Sequence, residues 1–550
     1  MFPGRMECES ATCNVYEALD KLFTGDQNIE PSSFVSKLRE TFPHSVRKSW
    51  PSVNSEQAAG WKAAPVMVRA RCMLQDSLGS EFYAASCELT KGDAKRIVSG
   101  VLRDSFGDEE VTQTLAHAAR HCYVAVPVPG ATEWYRTHFE DQTTDGSMDM
   151  KRLKLESTGA KSVLERFVAK FIDDAAEELK VNGVFDVFGV LNGHDFGENP
   201  EMDGEQEQFS SPTNLAGVPN LHVVHYERVE GGVEQDLLSA LPPAASLLPR
   251  LRSLLVDCVG DELAADYLAM HLMSSTYARA DNATICALPL NVCGVRDVKG
   301  IEEIVRMLAA KVKSLPLTSA ALSSSPFHSV KCYKTNRLQQ GELQLADGTH
   351  LIIDETQTPK GKVEVSGCAE ANLGTLHKVI AEQKMEYEFG YYRCPFEVDV
   401  PVMVLSEERS RYVATPYRIC LPSAGPAPSV DPLKQLSEEE LTALRLAILR
   451  AKTSLKDVLV SGDVAKAIQD DFVRMCADPA YGLASDEKAH KLSQLLIVTR
   501  LVTVLRGLSE MTVDSWKVAV LMEKRREEEL NTRFPPAPTA ADFAAENKEN

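Results

Sequence analysis

The sequence contains no apolar run of about 18 residues and no Cys-x-x-Cys pair among its 13 cysteines. The first absence excludes a membrane-spanning helix, and the start of the chain lacks the charged-then-apolar layout of a secretion signal. The cysteines also show no regular spacing along the chain. Because Cys72, Cys258 and Cys286 lie within apolar runs, we expect reduced, buried thiols in an intracellular protein.

Positive charge is also scarce. Lysine and arginine number 59 against 79 aspartates and glutamates, which gives a formal net charge of -20. A chain with this excess of negative charge has few cations available to bind a phosphate backbone, so we expect protein partners and no direct binding of nucleic acid. With 550 residues the chain is too long for one hydrophobic core, and several domains of about 150 residues are expected.

The first part of the chain predicts helices followed by a β-barrel. Residues 1–60 form a predicted N-terminal helical segment, because apolar residues recur there at helical spacing. Residues 61–230 show the period of two that strands require, with a predicted turn at 77–80. Five or six short strands favour a small barrel of the OB type. Polar, acidic stretches at 137–158 and 193–214 are predicted to be flexible insertions in this domain.

An OB-type barrel suggests one alternative function. Such barrels bind single-stranded nucleic acid through a basic groove with exposed aromatic side chains. The predicted strands carry four candidate residues of this kind: Arg69, Arg71, Phe82 and Tyr83. The flanking loops are acidic, so the charge argument favours an interaction or structural barrel over a nucleic-acid-binding one.

The second part predicts an α/β domain and then a helical domain. Residues 235–425 alternate helical and apolar strand patterns, with a helical stretch at 251–279 and a helix at 301–312. Segments 284–292, 351–354 and 400–405 are the predicted central strands. Residues 433–530 are predicted helices, beginning at the N-cap Ser437, and the tail 531–550 is predicted to be disordered.

The segment 341–356 resembles half of an ATP site. The apolar run Leu351 to Ile353 ends in Asp354 and Glu355, which is the pattern of a Walker B strand whose carboxylates hold Mg²⁺ and orient water. The other half requires Gly, four residues, then Gly-Lys-Ser/Thr. The candidate loop between strand and helix has Gly294, but Lys299 stands where the second glycine is needed.

Three interpretations of this half-site follow. An active ATPase would need Lys299, Asp354 and Glu355 to build an unusual site, without the glycine-rich loop and hydroxyl that phosphoryl transfer uses. Asp354 and Glu355 could also form a polar strand end, because a lone carboxylate pair is a weak Mg²⁺ site. We favour the third interpretation, in which the pattern records an ATPase-like architecture without catalysis. No catalytic, cofactor-binding or metal-binding residue is therefore predicted.

Several short segments carry a resemblance to a known family, in order, between about residues 60 and 530. They are Arg71-Cys-Met-Leu-Gln-Asp76 with Glu81-Phe-Tyr83, Tyr123-Val-Ala-Val-Pro-Val-Pro-Gly130 with Trp134, Gly260-Asp-Glu-Leu-Ala-Ala-Asp-Tyr-Leu268, Thr335-Asn-Arg-Leu338 and Leu351-Ile-Ile-Asp-Glu-Thr356. Together they resemble the minichromosome maintenance complex-binding protein family.

The resemblance implies a nuclear protein that binds subunits of the minichromosome maintenance helicase and contacts chromatin through them. It implies roles as a chaperone of helicase subunits, in unloading the helicase from chromatin in late S phase and in sister-chromatid cohesion. It also implies a degenerate AAA+-like α/β domain with a C-terminal helical lid. Ser406 stands near the position of a sensor asparagine and His490 near that of the lid's sensor arginine. Asp354 and Glu355 are carried over as structural residues, and Gly294 and Lys299 mark a degenerate phosphate loop.

Overall fold

The computed structural model has a mixed α/β architecture with several sheets. It describes residues 15–21, 31–55, 64–91, 94–106, 110–140, 164–192, 215, 217–229, 244–280, 283–285, 287–334, 337–358, 367–423, 425–477 and 485–535. The chain divides into two compact units. The first contains residues 1–129 and 136–229, and the second contains residues 130–135 and 230–550.

The first unit combines short helices with one sheet. Its helices are α1 (Val15–Lys21), α2 (Pro31–Thr41) and α3 (His44–Lys48), followed by strands β1 (Val66–Lys91), β2 (Ala94–Ser99) and β3 (Glu110–Pro127). Helix α4 (Glu133–Glu140), whose first three residues belong to the second unit, comes next, then β4 (Phe167–Phe171), β5 (Val184–Asn192) and β6 (Asn220–Arg228). Residues 137–140 of the first predicted insertion are therefore helical, while its remainder and all of 193–214 lie outside the described residues.

Five strands of the first unit close into a ring in the order β1, β3, β4, β6, β5 and back to β1. The β4–β6 pair is parallel and the other pairs are antiparallel. Side chains of β1 at every second position, Val68, Ala70, Cys72 and Leu74, enter the core that fills the ring. This alternation is the one that a strand with one buried face requires.

The predicted turn at 77–80 is wrong, because β1 continues through it. The β1–β3 register shifts between Ser77 and Gly79, and Gly79 has a φ of 78°. A glycine with positive φ lets an extra residue bulge out of a strand without ending it. The two predicted strands are thus one bent strand, whose second half pairs with both β2 and β3.

The second unit is built on a parallel sheet. Its elements up to that sheet's last strand are α5 (Ala244–Val259), α6 (Glu262–Met273), β7 (Ala278–Ala280), β8 (Ala283–Ile285), β9 (Leu290–Cys293), α7 (Val298–Leu308), β10 (Val312–Pro316), α8 (Ser319–Ser324), β11 (Val330–Cys332), β12 (Arg337–Gln339), β13 (His350–Asp354), α9 (Cys368–Glu382), β14 (Lys384–Glu388), β15 (Arg393–Glu397), β16 (Val402–Ser406) and β17 (Tyr417–Cys420).

The parallel sheet has the strand order β10, β13, β16, β9, β17. Strands β9, β13 and β16 are buried along their whole length, which is the environment that their apolar sequences predict. Two smaller sheets accompany it, one of β12, β11, β14 and β15 and one of β7 and β8.

Three predicted boundaries in this unit are wrong. The helical stretch predicted at 251–279 is two helices followed by a strand, because Gly260 takes a φ of 74°, the Asp261 side chain then caps α6, and α6 ends at Met273 before β7 begins at Ala278. The strand predicted at 284–292 is two strands, β8 and β9, in different sheets. The helix predicted at 301–312 spans Val298–Leu308, and Val312 already begins β10.

The C-terminal helices are α10 (Asp431–Lys434), α11 (Glu438–Ser454), α12 (Gly462–Ala477), α13 (Ser485–Leu505) and α14 (Val513–Arg533). Ser437 and Glu440 form a capping box at the start of α11, in which each side chain accepts a backbone N–H of the other residue. Because α14 runs to Arg533, the first residues of the predicted disordered tail are helical. In the described part of the chain, no helix has both the length and the apolar character needed to cross a membrane.

The second unit also includes residues 130–135, which come from far upstream in the chain. The Thr132 N–H donates to the Ala310 carbonyl at 2.9 Å, and the Trp134 indole N–H donates to the Ala309 carbonyl at 3.2 Å. The Arg445 guanidinium lies 4.7 Å from the centre of the Trp134 ring. This short segment is thus tied to the connection before β10 and to α11.

Candidate functional site

The parallel sheet brings the sequence-predicted residues to one edge. Ser406 pairs with Cys293 in register, and Asp354 pairs with Leu405. The carboxyl ends of β9, β13 and β16 therefore meet, and the residues that follow them are close in space. This is the edge at which open α/β sheets bind ligands.

Asp354 uses its carboxylate to hold its own turn. One oxygen accepts the Thr356 N–H at 2.9 Å and the Thr356 hydroxyl at 2.6 Å. The other oxygen accepts the Gln357 amide at 2.8 Å. Asp354 is 7% exposed, so both oxygens are largely withdrawn from solvent. A Mg²⁺ ion would have to displace donors that already satisfy this group.

Glu355 holds the neighbouring loop in a similar way. Its carboxylate accepts the Ser410 hydroxyl and the Arg411 N–H, the latter at 2.7 Å. A longer contact of 3.4 Å comes from the Tyr412 N–H. These bonds tie the end of β13 to the loop after β16, which is a structural use of a buried carboxylate.

The loop at the phosphate-binding position has its amides occupied. The Gly294 N–H donates to the Glu407 carbonyl at 3.2 Å, and the Val295 N–H donates to the Ser406 carbonyl at 3.0 Å. A phosphate-binding loop works by pointing such N–H groups at the ligand. Here the loop following β9 is bonded to the loop following β16 instead.

The start of α7 is also satisfied from within the chain. The Asp297 carboxylate accepts the Lys299 N–H at 3.0 Å as the N-cap of this helix. A carboxylate at this position occupies the anion site that a helix N-terminus offers. Lys299 itself is exposed. Gly300 is needed for packing, because an added Cβ would lie 2.1 Å from the Pro428 carbonyl oxygen.

Asn291, a fully buried residue of β9, connects the loops at this edge, and the sequence analysis missed it. Its amide donates to the Ser406 hydroxyl at 2.8 Å and to the Val404 carbonyl at 3.1 Å. Its side-chain oxygen accepts the Ser410 N–H at 3.1 Å. A polar residue inside an otherwise apolar strand was the available signal.

The two remaining sequence-predicted positions differ in their surroundings. Ser406 is buried in the Asn291 contacts, whereas His490 is exposed on α13. Among the C-terminal helices, Arg526 of α14 is buried and forms hydrogen bonds of 3.0 and 2.8 Å to Glu523. Burial would raise the pKa of Glu523, but the Arg526 charge holds it below its usual value. Across the described ranges, no group of three potential metal ligands is found.

The candidate nucleic-acid residues of the first unit do not form an open basic surface. Arg69 is buried, and Arg71 makes two hydrogen bonds of 2.7 Å to Asp186. The Tyr83 ring lies 4.7 Å from the Arg120 guanidinium, and burial raises the pKa of Tyr83 to about 12. Phe82 is 85% exposed. Of the four residues, only Phe82 presents most of its side chain to solvent.

A buried ionic cluster in the first unit is a second feature that sequence analysis missed. We define it by Glu81, Asp104, Arg120, Lys170 and His222. Arg120 and Lys170 both contact Glu81, at 2.5 and 2.9 Å, and both contact Asp104. The His222 ring nitrogens lie 3.1 Å from Asp104 and 3.1 Å from Arg120. Burial would raise the pKa of Asp104, but His222, Arg120 and Lys170 hold it well below its usual range.

A neutral histidine pair lies at the opposite end of β13 from Asp354. The Nδ1 of His271 lies 3.0 Å from the Leu288 carbonyl, and its Nε2 lies 3.4 Å from the Nδ1 of His350. Burial lowers the pKa of His271 to about 4 and lowers the pKa of His350 well below its usual value. Both rings are therefore uncharged at neutral pH.

The chain resembles a family described as Mini-chromosome maintenance replisome factor, which it matches over residues 38–166 and 165–530. Among its relatives, a protein of Arabidopsis thaliana is 26% identical, and the match covers 91% of this chain and 95% of the relative. A protein of Salmo salar is 24% identical, with coverage of 92% and 97%. One of Drosophila melanogaster is 25% identical, with coverage of 85% and 90%. Each of these relatives is named Mini-chromosome maintenance complex-binding protein.

Proposed function

Because the chain belongs to the Mini-chromosome maintenance replisome factor family, we propose that it is a non-catalytic binding partner of minichromosome maintenance helicase subunits in DNA replication. Relatives that align along nearly the whole chain are named for binding the helicase complex. The acidic net charge of -20 supports protein partners over direct contact with nucleic acid.

One observation carries the non-catalytic part of this proposal. The Gly294 and Val295 amides, which a phosphate-binding loop would offer to its ligand, donate to the Glu407 and Ser406 carbonyls. The carboxylates of Asp354 and Glu355 are likewise bonded to neighbouring loops. Phosphoryl transfer depends on free amides and metal-holding carboxylates at these positions. The sheet edge has the same succession of strand, loop and helix as a nucleotide site, but its amides and carboxylates form hydrogen bonds between loops.

We also propose the finer architecture. The ring of five strands supports an OB-like barrel within residues 61–230, preceded by the helical segment 1–60. The meeting of β9, β13 and β16 at one edge supports a degenerate AAA+-like domain at 235–425, with 433–530 as its helical lid. A copy of this kind pairs with a helicase subunit through a subunit-like face and blocks normal ring closure.

The proposed cellular role follows from this pairing. The protein acts in the nucleus as a chaperone or protector of helicase subunits, reaching chromatin through them. It helps to unload the helicase in late S phase and so supports sister-chromatid cohesion. A partner that occupies a subunit's place without turning over ATP suits both protection and unloading, because each requires subunits to be held outside the closed ring.

Affinity purification of the full-length chain with mass spectrometry tests the partner. We expect several minichromosome maintenance subunits among the most enriched proteins from nuclear extract. An equally acidic unrelated protein serves as the control for charge-driven binding. The absence of every helicase subunit from the eluate would contradict the proposal.

An ATP hydrolysis assay tests the absence of catalysis. We expect no turnover above that of a heat-denatured sample, and no difference between the wild type, Asp354→Asn and Lys299→Ala. Hydrolysis that either substitution abolishes would show that an unusual active site is present.

A further inference from the structure

A cavity of about 730 Å³ opens at the carboxyl edge of the parallel sheet. Its wall comes from the loop after β9, the residues after β13 and β16, the segment after β17 and the end of α14. The volume lies within the range of about 300–1,000 Å³ that small-molecule sites occupy. Four strands and the lid thus contribute to one concave surface.

The cavity lies where the topology of the sheet reverses. From β9 the chain crosses to β10 at the far edge of the sheet, whereas from β16 it crosses to β17 on the other side of β9. Connections that leave neighbouring strands in opposite directions open a crevice outside their carboxyl ends. Such a crevice is the preferred ligand position in open α/β sheets.

Two arginines line this cavity and bind only neutral groups. The Arg296 guanidinium donates to the Pro422 and Ser423 carbonyls, and Arg533 donates to the Leu421 carbonyl. Within the described part of the chain, neither arginine forms an ion pair with a carboxylate. Their positive charge is therefore available to an anion, and the planar guanidinium fork matches phosphate oxygens.

The rest of the wall has a different chemistry. Phe534 and Leu421 supply an apolar side, and the Phe534 ring lies beside Gly294. The Phe534 carbonyl accepts the Arg409 Nε at 2.6 Å, which fixes the end of the lid helix over the sheet edge. Glu407 also lines the cavity and can accept a hydrogen bond from a ligand hydroxyl or amino group.

We propose that this cavity binds a nucleoside phosphate, with Arg296 and Arg533 holding its phosphate groups and Phe534 packing against its base. The binding mode differs from that of a phosphate-binding loop, because it uses side-chain guanidinium groups in place of backbone amides. It requires no metal ion, since Asp354 keeps its own hydrogen bonds. The ligand would connect the loop after β9 to the end of the last helix, because Arg296 lies on that loop and Arg533 is the last residue of α14.

Isothermal titration calorimetry of the full-length protein tests the ligand class. We expect saturable binding of ADP in the presence of EDTA, and binding at least about 10-fold weaker for adenosine and for inorganic phosphate, since each lacks one of the two recognised parts. Equal binding of ADP and inorganic phosphate would contradict the role of Phe534. Loss of ADP binding in EDTA would contradict the metal-free mode.

Paired substitutions test the residues. Arg296→Gln and Arg533→Gln are each expected to weaken ADP binding about 10-fold or more, because each removes a charge-assisted contact. Arg306→Gln on α7 and Arg525→Gln on α14 are matched controls, since both are exposed arginines that pair with a glutamate four residues away. The controls are expected to bind ADP as the wild type does.

Thermal unfolding without ligand shows whether a variant that binds ADP weakly is still folded. Each variant is expected to unfold within about 2 °C of the wild type, because Arg296 and Arg533 are exposed and lose only bonds to carbonyl groups. Unchanged ADP affinity in both cavity variants, or no saturable binding of ADP to the wild type, would overturn the proposal. This inference does not depend on the proposed partner, which the affinity purification measures separately.

Discussion

Buried carboxylates are compensated differently in the two units. The first unit does so in its buried ionic cluster, and the second does so at the edge of the parallel sheet where the carboxyl ends of its strands meet. In the ionic cluster, Glu81 and Asp104 are neutralised by the charges of Arg120 and Lys170. At the edge, Asp354 and Glu355 are satisfied by backbone N–H groups, hydroxyls and one amide. Both arrangements withdraw carboxylates from solvent, but only the second is made of neutral partners.

The difference shows what each region can tolerate. Removing one member of a balanced charge cluster leaves an opposite charge buried without compensation, which costs several kcal/mol. Removing a carboxylate from neutral donors leaves only those donors unsatisfied, which costs less. Substitutions in the ionic cluster are therefore expected to destabilise the protein strongly, whereas substitutions of the carboxylates at the sheet edge are expected to be tolerated better. A sheet edge of this kind can lose a catalytic role and keep its fold.

The strongest test of the contrast is Arg120→Met. We expect the first unit to lose about 3–5 kcal/mol of unfolding free energy, because Glu81 and Asp104 lose one of their two shared cations and only Lys170 remains to balance them. Hydrogen exchange of the β3 and β4 amides measures the loss, since it reports the opening of each region separately. Lys95→Gln is the control, because Lys95 is an exposed residue of the same unit that forms an ion pair with Glu88. A loss below about 1 kcal/mol would show that the cluster is not held by charge balance.

Glu355→Ala measures how much the hydrogen bonds at the sheet edge contribute to the unfolding free energy, for comparison with the ionic cluster. The substitution leaves the Ser410 hydroxyl and the Arg411 N–H without their acceptor, so we expect a loss of roughly 1–3 kcal/mol in the second unit. Denaturant unfolding gives the value. Glu408→Ala is the matched control on the same loop, because its side chain is largely exposed, and it should cost less than about 0.5 kcal/mol. If the two variants cost the same, the edge contacts contribute no stability.

Mild acid is expected to destabilise the second unit through a third buried polar feature, the neutral histidine pair of His271 and His350. Burial holds the pKa of His271 at about 4, below the value of about 6.5 in the unfolded chain, so the unfolded state takes up the proton first. Stability is thus complete above pH 6.5 and falls as the pH drops towards 4. At pH 5.5 His271 contributes a loss of about 1.4 kcal/mol. The lowered pKa of His350 acts in the same direction.

His271→Gln checks this pH dependence. Glutamine keeps a hydrogen-bond donor for the Leu288 carbonyl but does not titrate, so the difference in unfolding free energy between pH 7 and 5.5 should shrink by about 1 kcal/mol. His490→Gln, an exposed substitution on α13, should leave the difference unchanged. An unchanged pH slope in His271→Gln would mean that the buried pair does not govern the response.

The smallest effect is expected at the N-cap of α7. Asp297→Ala removes the acceptor of the Lys299 N–H and should cost about 1 kcal/mol, as loss of an N-cap does elsewhere. Asp297→Asn keeps an acceptor and should restore most of the stability. Thermal unfolding of the three proteins measures the series. If alanine and asparagine behave alike, the cap contributes nothing and the helix start is held by packing alone.

Sequence patterns predicted the features that depend on local chemistry. The run from Leu351 to Ile353 predicted a fully buried strand because its apolar residues are contiguous. The alternation at Val68, Ala70 and Cys72 predicted a strand with an inward face. The N-cap at Ser437 predicted the start of α11, because the signal lies within four residues.

Features that depend on tertiary contact could not be predicted in this way. Asp104, Lys170 and His222 are far apart in the sequence, and nothing local indicates that they share one buried cluster. The turn predicted at 77–80 was wrong because a glycine with positive φ, such as Gly79, is compatible with a turn and with a β-bulge. The contacts of Glu355 depend on Ser410 and Arg411, which only the β13–β16 pairing brings close.

The segment 130–135 has a consequence for how the second unit acquires its structure. The Thr132 hydroxyl reaches the Ala310 carbonyl across 178 positions of sequence, so this contact closes a very long loop. Pairings of high contact order form late and slowly, because the entropy of the loop is lost before the contact stabilises it. During synthesis the segment leaves the ribosome well before β10 and must wait for its partners. A fragment beginning at residue 235 lacks it, which leaves the Ala309 and Ala310 carbonyls without their donors and α11 without the ring beside Arg445.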